Sequence, residues 1–544
     1  MEGSNLIKAA RVSFKTISYT SLSIYLLLVF VAFIKIINIE IPLGGAANDF
    51  YQAFNIAHNS LQERSFFIPG QLTSNFGFFL SSPLYNYLLI LLILLGFKTI
   101  ELIITANILF QVLGLLFLYW AGRKMLSEEV SAIAIILILV SETGNFLFLH
   151  PWIPYTFLPF VSIGLYLFAT GYTDKNNKYV IASNIFILAA SLIYAPGIYL
   201  FLFLFLISLI YFIYNKEKTQ AYVQLVSSTA LFFILFTLPG WFALFSNNYS
   251  TLKSHYPIFK IGKTVAGIFS IENLKISLAA FNEMLFRAPA FFQGDIAQTI
   301  FFIILLVGFI GYFTRKQEKR SYLFTIFALS AVVVSIIFLN LLGGFFDVNH
   351  TANLAKGNNP RVADRHLYPI FPLLFLVFAE ILIKGYRHKT AITKYIFVLL
   401  FVLILGNGFS EPPHPQSNNV ERIENIAKVI YRDTRPINGS PTIRFNIYSH
   451  EESITTPDVL FYYVQKQTDK DILKLEQGIA VTSHLGTDFE RHYVVCFNLP
   501  HYVERKVSQK NCLNDFKSKN ENFVQGEILL QEPLANVYIF NKRY

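Results

Sequence analysis

Charge is what this chain has least of. Asp, Glu, Lys and Arg make up 14% of its 544 residues, against 54% hydrophobic residues and 56 phenylalanines. A soluble domain could not keep that much apolar surface out of water, so the composition excludes an ordinary globular protein and requires a polytopic α-helical membrane protein. Cysteine is almost missing too: the chain has 2, Cys496 and Cys512, both near the C-terminus. The HxxxH and CxxC spacings of zinc sites do not occur. Walker-type phosphate loops and dinucleotide fingerprints are also lacking, which argues against a nucleotide-driven pump or a nucleotide-sugar enzyme. The net charge of +10 would suit nucleic acid, but many basic residues stand beside apolar runs, where they orient helices, so no nucleic-acid partner is expected.

What the chain does have is a succession of apolar runs. The first, Tyr19 to Ile37, is long enough to cross a bilayer, which takes about 20 residues as a helix. Lys8, Arg11 and Lys15 precede it, so the positive-inside bias puts the N-terminus in the cytoplasm. Gly45-Ala46-Ala47 resembles a signal-peptide cleavage site, yet the run exceeds the usual h-region of about 7–15 residues and carries Lys35, which favours an uncleaved helix. Further helices are expected near 83–97, 100–121, 130–148, 152–171, 179–194, 197–214, 222–245, 297–314, 321–342, 367–384 and 393–409. The basic turns at Arg123-Lys124, Lys175 to Lys178, Lys216-Glu217-Lys218, Arg315 to Arg320 and Lys384 to Lys394 should be cytoplasmic. That set agrees with an outer Asp49 only if one run fails to cross. The short run Pro83 to Phe97, opened by a proline, is the economical choice, leaving roughly eleven crossings. The alternative is that it spans and a later run does not.

Residues 39–99 then form one outer loop with membrane-associated helices, and Asp49 to Arg64 has the mixed pattern of an interfacial helix. A membrane domain is expected over 1–409. From Ser410 the composition turns polar, Glu411-Pro412-Pro413-His414-Pro415 reads as a linker, and 410–544 is expected to be a small α/β or α+β domain on the same outer face as Asp49. Strand-like runs are Thr442 to Tyr448, Val459 to Val464, Gly478 to Thr482, Tyr493 to Phe497 and Val537 to Phe540. In an oxidising compartment Cys496 and Cys512 are a possible disulfide; two cysteines alone do not decide it.

Asp49 is the first candidate functional residue, a carboxylate just past the first helix in Gly44-Gly45-Ala46-Ala47-Asn48-Asp49-Phe50-Tyr51; a helix N-cap is its structural alternative, and the two roles can coexist. The loop near 246–298 carries His255, Lys260, Lys263, Glu283, Arg287 and Asp295; the loop 343–366 carries Asp347, His350, Lys356, Arg361, Asp364, Arg365 and His366. Arg361, Arg365 and His366 at the mouth of a helix have the chemistry an anionic ligand needs, although headgroup contacts or internal ion pairs would use the same residues.

The order of short motifs resembles a family. Asp49-Phe50-Tyr51 is followed by Gly70-Gln71-Leu72-Thr73-Ser74, by Ser81-Ser82-Pro83-Leu84-Tyr85-Asn86-Tyr87, and by an apolar run ending in Gly96. His150-Pro151-Trp152-Ile153-Pro154 and Arg365-His366-Leu367-Tyr368-Pro369-Ile370-Phe371-Pro372 come later. Together these look like the GT-C-fold glycosyltransferases, akin to the bacterial aminoarabinose transferases of lipid A and the protein O-mannosyltransferases, over about residues 15–410. No single motif is specific; the order and spacing carry the resemblance.

The resemblance implies inverting transfer of a sugar from a polyprenyl-phosphate donor to an acceptor on the extracytoplasmic face: lipid A, another surface glycan or a protein. Asp49 would be the base that takes the acceptor's proton. Arg287, Arg361, Arg365 and His366 would meet the donor phosphate, and Tyr51, Tyr85, His150, Trp152 and Asp295 would line the substrate site. Ser82 stands where many relatives have Lys or His, and the next outer turn offers only Glu142 and His150 in place of a second acid, so the residue transfer is firmest at Asp49. No cofactor is expected; Asp49, Asp295 and Asp364 could in principle gather around a divalent metal such as Mg²⁺, but no acidic pair stands at close spacing. The expected partners are the lipid-linked donor, the acceptor and membrane lipids, in a bacterial inner membrane with the C-terminal domain in the periplasm. A transporter or flippase of lipid-linked sugars is the alternative class, but Lys35, Glu142 and Glu380 read as lying near helix ends and no repeat is visible. A surface-polysaccharide polymerase or ligase is the nearer rival, and would usually carry a very large loop late in the membrane domain.

Overall fold

In the computed structural model the residues described are 18–39, part of 50–64, 83–141, 148, 153–193, 197–245 except 215, 371–386, single positions at 395, 398 and 402, 417–434, 445–449, 457–467, 491–497, 509–531 and 535–542. Two compact units emerge: one holds Met1–Ile39, Asn75–Tyr85 and Phe97–Pro412, the other Glu40–Ser74, Asn86–Gly96 and Pro413–Tyr544. The sequence groups residues 39–99 with the membrane part; in the structure most of that loop belongs to the C-terminal unit.

The first unit is a helical bundle. Its described helices are α1 (Tyr19–Ile37), α3 (Ile100–Met125), α4 (Glu128–Val140), α5 (Ile153–Thr173), α6 (Asn177–Ile193), α7 (Gly197–Tyr214), α8 (Lys218–Phe245) and α9 (Phe371–Tyr386), with α2 (Pro83–Leu94) divided between the units. Among the described residues three stretches, Tyr19–Ile37, Ile100–Met125 and Thr156–Thr173, are long and apolar enough to cross a membrane. The ends of α1 follow from local chemistry: Ser18 caps the N-terminus by accepting from the Ser21 amide at 3.1 Å, and Lys35 lies in the last turn, where a cation favours the carbonyl end. Leu22, Leu26, Val29, Phe30 and Phe33 of α1 are exposed, a face that lipid accepts and water does not.

Helix–helix contacts are close where side chains are small. A Cβ on Gly114 of α3 would stand 2.9 Å from the Pro159 Cα of α5, so a larger residue would push the two helices apart. Pro159 leaves α5 short of one backbone donor. Asn184 of α6 and Gln224 of α8 exchange amide hydrogen bonds at 3.0 and 3.2 Å, satisfying both groups inside the bundle. Glu380, read from the sequence as near a helix end, lies within α9, buried, with Lys384 one turn on at 3.6 Å.

One end of the bundle collects the basic turns after α3, α5 and α7; Arg315 to Arg320 and most of Lys384 to Lys394 lie outside the described residues. Lys124 Nζ is 3.3 Å from Asp174 and Lys175 Nζ is 3.1 Å from Glu217, so the turns after α3, α5 and α7 meet. Lys175 and Lys216 take positive φ of 52° and 59°, the left-handed conformation that ends a helix and starts a tight turn. The start of α1 is there as well. Glu128 accepts from Ser18, from Ser21 at 2.7 Å and from Tyr119 at 3.1 Å, with Arg123 at 4.0 Å; the Ser18 hydrogen bond is the largest of the causes that lower its pKa. Trp120 donates to Tyr25 at 3.0 Å, fixing α1 antiparallel to α3. The chain therefore leaves α1 and re-enters α3 at the same, opposite end of the bundle. Helix α2 has 12 residues, about 18 Å at about 1.5 Å per residue, against a bilayer core of about 30 Å.

The second unit contains a four-stranded sheet in the order β1-β2-β4-β3, formed by β1 (Phe445–Ser449), β2 (Arg491–Phe497), β3 (Phe523–Gln531) and β4 (Ala535–Lys542). The β1–β2 pair is parallel and the others antiparallel. Helices α10 (Ser417–Thr434), α11 (Pro457–Lys466) and α12 (Gln509–Lys519) pack with it. Val494, Cys496, Cys512, Phe516, Tyr538 and Phe540 form a core, and Cys496 and Cys512 are disulfide-bonded with their Cα atoms 5.9 Å apart. Val459 to Val464, expected to be strand, is the helix α11: Pro457 at its first position presets the helical φ and needs no hydrogen-bond partner for a missing N–H. Strand β3 and helix α12 were not foreseen; the run Gly478 to Thr482 lies outside the described residues, as do the helices expected at 297–314 and 321–342.

Candidate functional site

The described residues of 50–61 are helical, and Arg64 closes the stretch with a positive φ of 53°. This stretch is amphipathic by composition, and five of its described apolar residues are buried. Phe50, Tyr51, Ala53 and Ala57 have 0% exposure and Phe54 has 4%. Tyr462 of α11, in the same unit, lies against Tyr51 and Phe54. The Tyr51 ring lies 5.5 Å from that of Tyr462, and Phe54 packs edge-on to Tyr462 at 5.9 Å, with Phe50 against Tyr51 at 5.4 Å. Offset and edge-to-face pairs at such distances add about 0.5–1.5 kcal/mol each beyond the area they bury.

Tyr462 is itself held. Its neighbour Tyr463 is fully buried and packs against it at 5.3 Å, while Lys466, one turn on, sits 5.5 Å over the Tyr463 ring and 3.6 Å from Glu424 of α10. Helix α10 buries Ile423, Ile426, Ala427 and Ile430 at helical spacing. At its far end Asp433 accepts from Arg491 Nη1 at 2.6 Å and from the Tyr493 hydroxyl at 2.6 Å, fastening α10 to β2. Burial is the foremost cause that raises the Tyr493 phenol above its ordinary value, with the hydrogen bond to Asp433 adding to it. Arg491 is held above its ordinary value, burial opposing and the Tyr493 and Asp433 contacts prevailing. His492, next along β2, is buried against Phe516 and Phe523 at 5.3 and 4.3 Å, and burial pushes it down to about 4. A continuous set of contacts thus runs from the residues following Asp49, through α11 and α10, to the disulfide-closed sheet.

Of the residues expected to do chemistry, Tyr51 and Tyr85 are described. Tyr51 serves in the aromatic seam; Tyr85 is buried in α2, 3% exposed. Asp49, His150, Trp152, Arg287, Asp295, Arg361, Arg365 and His366 lie outside the described residues. Among the described residues there is no group of three His, Cys, Asp or Glu able to hold a metal. The residues that sequence reasoning missed are Tyr462, Tyr463, Asp433 and Arg491. Only the pair Tyr462-Tyr463, two adjacent tyrosines in a polar region, offered a signal, and its period was read as strand.

No protein-family model matches the chain, and no curated protein matches it. Solved structures do. ArnT from Cupriavidus metallidurans, with undecaprenyl phosphate bound, is 11% identical at a TM-score of 0.46, covering 96% of this chain and 98% of that one. The oligosaccharyltransferase of Archaeoglobus fulgidus tethered to an acceptor peptide is 12% identical at 0.43, covering 81% and 63%. The oligosaccharyltransferase AglB of the same archaeon, with an inhibitory peptide and a dolichol phosphate, is 12% identical at 0.41, covering 93% and 72%. At these TM-scores the functional reading is built from this chain's own residues.

Proposed function

We propose that the protein is a membrane glycosyltransferase of GT-C type that moves a sugar from a polyprenyl-phosphate donor to an acceptor at the extracytoplasmic face. One observation supports it: the residues that follow Asp49 in the chain, after the first membrane-length helix, pack their aromatic rings on α11 of the unit that carries the Cys496–Cys512 disulfide. A base there would need to reach both a lipid-borne donor and a water-borne acceptor. Disulfides persist in oxidising compartments, which supports the periplasmic side for this unit.

In the reaction the acceptor hydroxyl attacks the anomeric carbon, its proton passes to the Asp49 carboxylate, and the bond to the lipid phosphate breaks with inversion. The phosphate leaves with growing negative charge, and Arg287, Arg361, Arg365 and His366 are the chain's candidates to receive it. Guanidinium forks fit phosphate oxygens at two points, which singles out the arginines. The sugar and the acceptor are open.

The experiment is mass spectrometry of lipid A, surface glycan and polyprenyl-phosphate pools in a strain lacking the protein. Transfer predicts loss of one sugar from one acceptor class with accumulation of the matching lipid-linked donor. Donor flipping by the purified protein without transfer would favour the transporter.

A further inference from the structure

We propose that the turns joining α5 to α6 and α7 to α8 form a docking surface for an anionic phospholipid, with Lys178, Lys216 and Lys218 as the contacts for its phosphate. The proposal needs the bundle to stand in a bilayer and does not depend on which sugar is moved. The two turns are one place in the fold. Val180 of α6, Phe212 of α7 and Ala221 of α8 share a buried cluster on which Tyr172 of α5 packs, and Lys175 reaches Glu217 from one turn to the other at 3.1 Å. Both turns are hydrogen-bonded: the Asp174 amide donates to the Thr170 carbonyl at 2.9 Å, and the Glu217 amide to the Phe212 carbonyl at 2.8 Å. The acids here are engaged, Asp174 with Lys124 at 3.3 Å and Glu217 with Lys175. Lys178, Lys216 and Lys218 are exposed, and among the described residues none of them meets a carboxylate.

Next to the lysines the same helices offer what a lipid tail needs. Lys178, Ile181 and Ile185 follow one another at i, i+3 and i+7 on α6, and Lys218, Tyr222 and Leu225 at i, i+4 and i+7 on α8, so each of these lysines heads a stripe along one helix side. The members beyond the lysines are exposed: Ile181 by 37%, Ile185 by 44%, Tyr222 by 68% and Leu225 by 44%. The helices that carry the stripes are in contact, through the paired amides of Asn184 and Gln224. Apolar side chains on the outside of a membrane bundle face lipid, and a lysine at the end of such a stripe lies at headgroup level. Tyr179, exposed beside Lys178, has the amphipathic ring that favours that level. Three such ammonium groups next to two apolar stripes fit a molecule with a phosphate at one end and acyl chains at the other; a free anion would use the lysines alone. Under the proposed orientation this surface meets the cytoplasmic leaflet, whose anionic lipids give it a negative surface potential.

The test uses the full chain in nanodiscs of phosphatidylcholine with a minor share of phosphatidylglycerol, and native mass spectrometry counts the phosphatidylglycerol that stays bound on release from the disc. The wild type should retain it in preference to phosphatidylcholine. The triple variant Lys178→Gln, Lys216→Gln, Lys218→Gln should lose affinity by about fivefold per lysine removed, the scale of a lysine near an anionic surface, and the wild-type preference should weaken with added salt. Arginine at the same three positions keeps the charge and should keep the lipid. Lys98→Gln, just before α3 and so at the other end of the bundle, should change nothing. Hydrogen exchange of α6 and α8 reports whether the triple variant is folded; if it is not, Lys178→Gln and Lys218→Gln made singly should each show the loss expected for one lysine. Unchanged retention in the glutamine variants would overturn the proposal. So would an equal loss in Lys98→Gln, or displacement of the lipid by inorganic phosphate at matched ionic strength.

Discussion

Arg491 on β2 donates to Asp433 at the end of α10 with an N–O distance of 2.6 Å, and the same carboxylate oxygen takes the Tyr493 hydroxyl. Both ionic partners are about four-fifths covered, with side-chain exposures of 22% and 23%. Removing the acid leaves a covered guanidinium and a buried phenol without their acceptor. Asp433→Ala should therefore destabilise the second unit by about 1.5–3 kcal/mol, the range for hydrogen bonds to charged groups. Hydrogen exchange of β2 peptides in the full-length protein measures it: protection should fall in β2 and α10 and stay unchanged in α3.

His492 gives the unit a defined acid sensitivity. Its folded value of about 4 lies below the ordinary 6.5 because burial penalises the charged ring. A depressed value means stability that is complete above the unfolded pKa and lost as pH falls toward the folded one. Over the window from 6.5 to about 4 the loss should approach roughly 3 kcal/mol, at 1.36 kcal/mol per unit. Denaturant midpoints monitored by exchange in β2 should decline across that window, and His492→Phe should flatten the decline.

The two ends of the bundle should label differently. Thr219 lies at the end that gathers Lys124, Lys175 and Glu217, whereas Lys98 lies at the end where the chain enters α3. Under the proposed orientation a cysteine at Lys98 reacts with an impermeant maleimide on intact cells and one at Thr219 does not. Reaction at Thr219 alone would invert the orientation.

How much of this was legible from the sequence depends on what the local signals had to overcome. The helix Tyr19–Ile37 was readable to both ends because an apolar run meets a serine cap and a terminal lysine, and nothing competes. The gathering of the basic turns after α3, α5 and α7 was readable because membrane crossing forces alternation. The C-terminal unit was harder. Val459 to Val464 is β-branched and aromatic, yet forms helix, since Leu460, Tyr463 and Val464 bury one helical side and Pro457 starts it. Strand β3 escaped notice because Gln525, Gly526 and Glu527 break its alternation and it is largely exposed. For the site, Asp49 could be singled out from its neighbours in the chain, but the packing of the residues after it could not: Tyr51 and Tyr462 meet only through the fold.

Donor binding should depend on the shape of a guanidinium as well as its charge. Arg365→Lys keeps the charge and loses the two-point fork, so it should weaken donor use, and Arg365→Ala should weaken it further. His366→Ala and Arg361→Ala should have smaller effects. Titration with a purified polyprenyl-phosphate sugar reads the order; an unaltered Lys variant would move the phosphate site to Arg287.

The most direct measurement is single-turnover transfer by purified Asp49→Asn. The amide keeps the shape of the carboxylate and removes the base, a loss that costs about 10²–10⁴ in rate. The account predicts a fall of that size, with donor affinity and the Cys496–Cys512 bridge preserved. An Asn variant that retains more than about a tenth of wild-type turnover, on that same scale, would contradict it and leave Asp49 as a helix cap.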